Sequence, residues 1–342
     1  MSELINLQKL LCPDLLKTMQ RRYKILHTIQ LLEPIGRRGL SEQVALKERV
    51  VRSELDYLAQ QGMIVVSAKG VLLTATGLEV ITKLTPYLDD LSGFQAIEEK
   101  IKQTLKLDHV IITPGDSDQH DWVKQDLGLR AVEFLQLQLQ SNQTIAVTGG
   151  TTMATAAAMM RPSIHSNGCV FVPARGGLGE RVENQANTIC AEMAKKMKGD
   201  YRMLYVPDPL SEETYHSIIQ EPAVKDILHM INQASIVMHG IGDAFTMARR
   251  RKATAHVLDK LKSGKAVSEA FGYYFNRSGE VVYKVRTVGM QLEELSNIRT
   301  VIAIAGGKSK AEAIDSYLRQ GKSNVLITDE AAAKALIKGF SL

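Results

Sequence analysis

The sequence predicts an α/β architecture: a small N-terminal winged helix-turn-helix followed by a larger, doubly wound and mostly parallel α/β domain. Three observations predict it. The chain has 342 residues, more than one hydrophobic core usually serves. Its first 85 or so residues show helical periodicity that gives way to a strand-turn-strand signal. From Asp108 onward, short apolar runs alternate with turns and helical segments, the pattern of a parallel sheet covered on both faces.

In the first part, Thr18 to Leu32 reads as an amphipathic helix with Met19, Ile25, Leu26, Ile29 and Leu32 on one stripe, ended by Glu33-Pro34. Gly36 to Leu46 is a second, shorter helix. Glu48 to Gln61 is a third, with Val51, Leu55 and Leu58 facing inward and Gly62 at its end. Met63 to Val66 and Val71 to Leu73 then form a hairpin. The expected domains are 1–85, a connecting helix over 86–106 that either packs on its own domain or pairs with a second copy, and 107–342. A break at Gly93 interrupts the connecting helix.

In the second part, strands are expected at Val110–Ile112, Thr144–Val147, Cys169–Val172, Met203–Val206, Ile236–Met238, Val301–Ile304 and Val325–Ile327. An antiparallel insertion is expected between Ala266 and Val285.

Composition narrows the function classes. Formal net charge is only +5, but Lys17 to Arg52 holds nine basic residues against three glutamates, the footprint of a polyanionic partner. Lys47, Glu48, Arg49 and Arg52 open the third helix, where a recognition helix reads base edges. Arg37, Arg38 and Ser41 on the helix before it, and Lys69 in the wing, suit phosphate contacts. A protein-binding winged helix is the other reading. Three widely spaced cysteines suggest neither disulfides nor zinc. The opening Met-Ser-Glu-Leu-Ile-Asn lacks a signal peptide's basic and apolar regions, and no apolar run approaches the ~18–20 residues of a bilayer span. A cytoplasmic protein without membrane contact is expected.

Ligands in open α/β sheets bind beyond the carboxyl ends of the strands. Four turns there are glycine-rich: Thr148-Gly149-Gly150-Thr151-Thr152, Ala174-Arg175-Gly176-Gly177-Leu178-Gly179, His239-Gly240-Ile241-Gly242-Asp243 and Ala305-Gly306-Gly307-Lys308-Ser309-Lys310. Any one of them could exist for close packing alone. Together, with Arg175, Lys308, Lys310 and Arg249 to Arg251, they suggest a pocket for an anion, even one with two phosphates. A phosphate-binding P-loop is excluded because Ile302 stands where its first glycine is required, and a dinucleotide fingerprint because Phe245 takes the place of its third. Asp116-Ser117-Asp118 with His120 and Asp121 reads as a solvated turn, and no metal site is expected. Glu269, just after a strand, suits a sugar hydroxyl; it could also serve as a catalytic carboxylate.

With these strings goes a family resemblance. Pro-Ala-Arg-Gly-Gly (173–177), Gln-Ala-Asn-Thr (185–188), His-Gly-Ile-Gly (239–242), Glu-Ala-Phe-Gly-Tyr-Tyr-Phe (269–275) and Ala-Gly-Gly-Lys-Ser-Lys-Ala-Glu-Ala-Ile (305–314) resemble those of the SorC-type, DeoR-like, sugar-responsive repressors over nearly the whole chain. The resemblance implies a sensor domain akin to sugar-phosphate isomerases that has lost catalysis. It also implies repression of an operon for triose-phosphate enzymes, with fructose 1,6-bisphosphate as inducer. Gly149, Gly150, Thr151, Thr152, Arg175 and Lys310 would then hold one phosphate, Arg250 the other, and Glu269 the sugar hydroxyls, with Gly177 and Gly240 in the neighbouring loops. No catalytic residue and no cofactor is expected. Homodimers that pair into tetramers on double-stranded operator DNA are expected, with ligand weakening that cooperative grip. The rival is a sugar-phosphate isomerase or deaminase with a fused regulatory domain.

Overall fold

A computed structural model describes residues 7–8, 10–163, 166–177, 181–207 and 210–339. The opening Met1 to Asn6 and Leu178-Gly179 of the second glycine-rich turn lie outside them. The chain divides between Ala96 and Ile97 into two compact units.

In the first unit α1 (Pro13–Leu32) begins five residues earlier than periodicity suggested, because Pro13 takes the first-turn position where a missing N–H costs nothing. α2 (Arg37–Val44) and α3 (Glu48–Gln60) are joined through Ala45, which adopts φ 55°. β1 (Ile64–Ser67) pairs antiparallel with β2 (Gly70–Leu73), and Ile35 bridges to Val71 to extend this wing. Ile25, Ile29 and Leu40 pack with Val51, Leu55 and Leu58 as one core. Each such side chain contributes about 1.5–3 kcal/mol on leaving water. Met19 and Leu32 of the expected stripe are only half-buried.

Thr74 caps α4 (Ala75–Ser92), its hydroxyl accepting from Gly77 N at 3.1 Å. The end expected at Thr85-Pro86 falls inside this helix. Pro86 forfeits one backbone bond, but Thr85 Oγ1 donates to Ile81 O (2.8 Å) and shares a 2.8 Å hydrogen bond with Tyr23 of α1, which ties that turn down. Gly93 at φ 76° ends α4, and α5 (Gln95–Leu105) follows, so 86–106 holds two helices rather than one.

The second unit is built on seven strands, all parallel: β3 (His109–Thr113), β4 (Thr144–Val147), β5 (Val170–Pro173), β6 (Asp200–Tyr201), β7 (Ile236–Gly240), β12 (Thr300–Ile304) and β13 (Val325–Asp329). Their spatial order is β3-β13-β12-β7-β4-β5-β6. Helices between them include α6 (Asp121–Gln138), α7 (Thr151–Met159), α8 (Ala186–Met197), α9 (Glu212–Ile218) and α10 (Pro222–Asn232), then α11 (Ala244–Arg250), α12 (Ala255–Ser263), α13 (Ala311–Leu318) and α14 (Glu330–Gly339). The fully buried Ile145, Val147, Ile236, Met238, Ile302 and Ile304 explain the uninterrupted apolar strands. The antiparallel insertion is a second sheet, ordered β11 (Val281–Lys284), β10 (Tyr273–Asn276), β9 (Ala266–Ala270) and β8 (Gly242–Asp243).

One expected strand is absent. Met203 to Val206 is irregular, and the edge strand is β6 just before it. The Asn187 side chain takes both backbone groups of Leu204, donating to its carbonyl (3.1 Å) and accepting from its amide (3.0 Å), so Leu204 has neither left for a strand partner.

Candidate functional site

From the middle of the sheet, β4, β5 and β6 step one way while β7, β12 and β13 step the other. The loops that leave β4 and β7 therefore part, and such a switch point is where open α/β sheets take ligands. A solvent-open cleft lies there, lined by Thr148 to Met153, Arg175, Gly240 to Gly242, Met247, Arg250, Glu269 to Phe271 and Lys310. Nine of the ten expected ligand residues line it: Gly149, Gly150, Thr151, Thr152, Arg175, Gly240, Arg250, Glu269 and Lys310. Gly177 does not; its amide donates to Val206 O (3.0 Å) and fastens the irregular 203–207 segment.

The turn into α7 needs its glycines. Gly150 sits at φ 120°, and a Cβ on Gly149 would stand 2.6 Å from the Asn184 carbonyl oxygen. Gly150 offers no side-chain cap, so the amides of Thr151, Thr152 and Met153 have no hydrogen-bond partner among the described residues. Three open N–H groups at the positive end of a helix are groups that can receive an anion.

The loop after β12 is different. Gly307 N donates to Asp329 Oδ2 (2.6 Å), Lys308 N to Asp116 Oδ1 (3.4 Å), Ser309 N to Asp118 Oδ2 (2.8 Å) and Lys310 N to Gly307 O (3.0 Å). The amides of 307–310 are thus committed, and the acidic turn at 116–118, expected to be merely solvated, takes two of them, those of Lys308 and Ser309. No group of metal-binding side chains occurs among the described residues. This loop's contribution to the cleft is the half-buried Lys310 ammonium. Burial and the neighbouring Arg250 push its pKa down, against the pull of Asp118. Lys308 is exposed and outside the cleft.

Glu269 is 4 % exposed at the end of β9. Its Oε1 accepts from Arg251 Nη2 (2.7 Å) and Gly272 N (2.7 Å) and lies 3.6 Å from Arg175 Nη1. Burial alone would raise its pKa, but the Arg251 and Arg175 charges outweigh that and hold the carboxyl below the usual carboxylate range. Oε2 has no partner among the described residues, which leaves it for a hydroxyl donor in the cleft. Of the three consecutive arginines, Arg251 is therefore an internal partner, also bound to Tyr274 Oη (3.0 Å), and Arg250 is the one that lines the cleft. Thr148, Ile241 and Gly242 line the cleft from turns the sequence singled out without being named as ligand residues, and Met153, Met247, Ala270 and Phe271 line it with no glycine or charge of their own to mark them.

In the first unit, Arg37, Arg38, Lys47, Glu48, Arg49, Arg52 and Lys69 are all exposed on α2, the start of α3 and the wing. Ser41 is half-buried, and its hydroxyl donates to Leu46 O (2.6 Å), so it closes the α2–α3 turn. The basic surplus is smaller than it reads. Arg21 and Arg22 both bind the buried Glu54 of α3, with Arg22 Nε at 2.8 Å, and Lys24 Nζ donates to Val44 O (3.0 Å). Burial would raise Glu54, but the two guanidiniums hold its pKa below the usual range.

Comparison with known proteins agrees with both halves. The CggR N-terminal DNA binding domain model matches residues 18–88, and the Sugar-bind model, a sugar-binding domain, matches residues 89–338. The chain is 50 % identical to the central glycolytic genes regulator of Priestia megaterium over 100 % of both chains. It is 49 % identical to that of Bacillus subtilis over 99 % of each. A crystal structure of a SorC family transcriptional regulator from Enterococcus faecalis, 46 % identical, covers 71 % of this chain and 100 % of its own with a TM-score of 0.67. Full-length SorC from Klebsiella pneumoniae shares the fold at 16 % identity and TM-score 0.69, over 89 % of this chain and 94 % of its own. With a DNA-binding domain, a sugar-binding domain and full-length relatives of one kind, the chain belongs to the central glycolytic genes regulators of the SorC-type family of sugar-binding transcriptional regulators.

Proposed function

We propose that this chain represses an operon for triose-phosphate enzymes, and that fructose 1,6-bisphosphate in the cleft between β4 and β7 releases it from operator DNA. One observation carries the reading: the open amides of α7 share a cleft with Arg175, Arg250 and Lys310. Gly149 to Thr152 with Arg175 and Lys310 would hold one phosphate, and Arg250 the other. Glu269 Oε2 would accept from a sugar hydroxyl. No cofactor is needed. The protein works in the cytoplasm as a homodimer that pairs into a tetramer on the operator, and the bisphosphate weakens that cooperative grip. It can do so only by binding the released state more tightly than the bound one.

The isomerase or deaminase reading is disfavoured by Glu269. A general base is best poised near the working pH, and this carboxylate is held well below it by two guanidiniums. Turnover of a sugar phosphate by the purified protein would reverse that preference.

The test is operator binding followed by fluorescence anisotropy, titrated with fructose 1,6-bisphosphate. Thr152→Ala and Arg250→Ala are expected to bind the operator normally and to respond only at higher ligand concentration. An unchanged response in both would reject this pocket. A thermal-shift series gives a second readout, since a ligand of the folded state raises its melting point.

A further inference from the structure

Behind the cleft lies a buried polar chain to which the reading above gives no role. His239, on β7, is fully buried. Its Nδ1 is 3.1 Å from the Gly240 carbonyl oxygen, and its Nε2 is 2.9 Å from Ser323 Oγ and 3.3 Å from Tyr317 Oη. Ser323 and Tyr317 are themselves 3.1 Å apart. A carbonyl oxygen only accepts, so Nδ1 carries the proton and Nε2 of the neutral ring accepts, Ser323 at 2.9 Å being the nearer of the two hydroxyl donors around it. Burial, outweighing the Gly240 bond and the Glu269 charge, pushes the ring's pKa down to about 4 and keeps it neutral.

That ring meets two walls of the cleft. The Gly240 carbonyl is drawn toward it, and in a trans peptide the following N–H points the opposite way. The Ile241 amide has no hydrogen-bond partner among the described residues, and Gly240 and Ile241 both line the cleft. On another side the His239 ring lies 4.7 Å from that of Phe271, a lining residue whose backbone is left-handed at φ 54°. A bulky side chain in that region is strained and persists only where its surroundings over-determine it. Here the bond from Gly272 N to Glu269 Oε1 (2.7 Å) grips the turn, and the imidazole backs the ring.

We propose that His239 is a positioning residue of the cleft: held from behind by Ser323 and Tyr317, it turns the Gly240 carbonyl inward, presents the Ile241 amide to an anionic oxygen of the ligand, and seats Phe271 against the ligand's carbon skeleton. The proposal rests on reading the cleft as a sugar-phosphate receptor and adds the groups that shape its β7 wall.

The test uses the full-length chain and calorimetric titration with fructose 1,6-bisphosphate. An asparagine amide can stand near Nδ1 and still donate to the Gly240 carbonyl; a glutamine amide reaches toward Nε2 and leaves that carbonyl without a donor. His239→Asn is expected to keep Kd within about threefold of the unsubstituted protein and His239→Gln to raise it about tenfold, the scale of one hydrogen bond. Ser323→Ala, which does not line the cleft, is expected to raise it about threefold. Nitrogen NMR of histidine-labelled protein is expected to report the Nδ1–H tautomer. Equal affinity in folded His239→Gln, or an Nε2–H tautomer, overturns the proposal while the receptor reading stands. If His239→Gln fails to fold, unchanged affinity in Ser323→Ala overturns it instead. If the unsubstituted protein binds no bisphosphate, the receptor reading falls and this proposal falls with it.

Discussion

Two loops of this sheet are spelled almost alike, Thr148-Gly-Gly-Thr-Thr after β4 and Ala305-Gly-Gly-Lys-Ser after β12, yet their backbones do opposite things. The first leaves the amides of Thr151, Thr152 and Met153 open at a helix start. The second spends its amides on Asp116, Asp118 and Asp329. Whether a glycine-rich turn can receive an anion is decided by the carboxylates folded against it, and these come from distant sequence. What the β12 loop brings to the cleft is a single side chain, Lys310, rather than backbone amides.

The largest test of that contrast is Asp329→Ala. The side chain is fully buried and accepts from Ser117 N, Gly307 N and Ala332 N, so its loss strands three buried donors. A loss of about 4 kcal/mol in urea unfolding is expected. A loss under about 1 kcal/mol would mean the β12 loop does not depend on its internal carboxylate. Next, Lys310→Met is expected to weaken bisphosphate binding about 10- to 100-fold, the scale of a charged hydrogen bond, while Lys308→Met leaves it unchanged. Equal effects at the two lysines would erase the distinction between cleft and surface.

A third test uses pH. Glu269 is depressed in the folded state, so its contribution is fully present above the unfolded carboxyl value of about 4.3 and is lost as pH falls through its lower folded value. Acid unfolding of Glu269→Gln is expected to show a flatter acid limb than the unsubstituted protein. An identical limb would mean that the Arg251 pairing does not bear on stability. The smallest effects are expected on DNA: Arg49→Ala or Arg52→Ala weakens operator binding roughly tenfold and lowers the salt slope by about one, with bisphosphate affinity intact. Equal loss of both affinities would contradict separate roles for the two units.

Much of the fold was legible because strands buried on both faces must be uninterrupted apolar runs, as at Ile145 to Val147 and Val301 to Ile304. The strand misread at Met203 to Val206 is apolar too, but Asn187 claims its backbone. Pro86 misled in the same way, since local rules cannot see Tyr23 holding Thr85 in the helix. The cleft was legible where glycines and cations cluster. Its carboxylate chemistry was not, because the partners of Glu269 arrive from separate elements, Arg175 after β5 and Arg251 after α11.

The pairing of Glu54 with Arg21 and Arg22 also constrains how a signal could reach DNA. The carboxylate is buried while its two arginines are about a third exposed, so the paired bridges tie α3 to α1 and resist its rotation or sliding. The reading head is in effect a rigid die. On the proposed reading, an inducer would then act on how copies of this die share the same stretch of duplex rather than on the shape of its face.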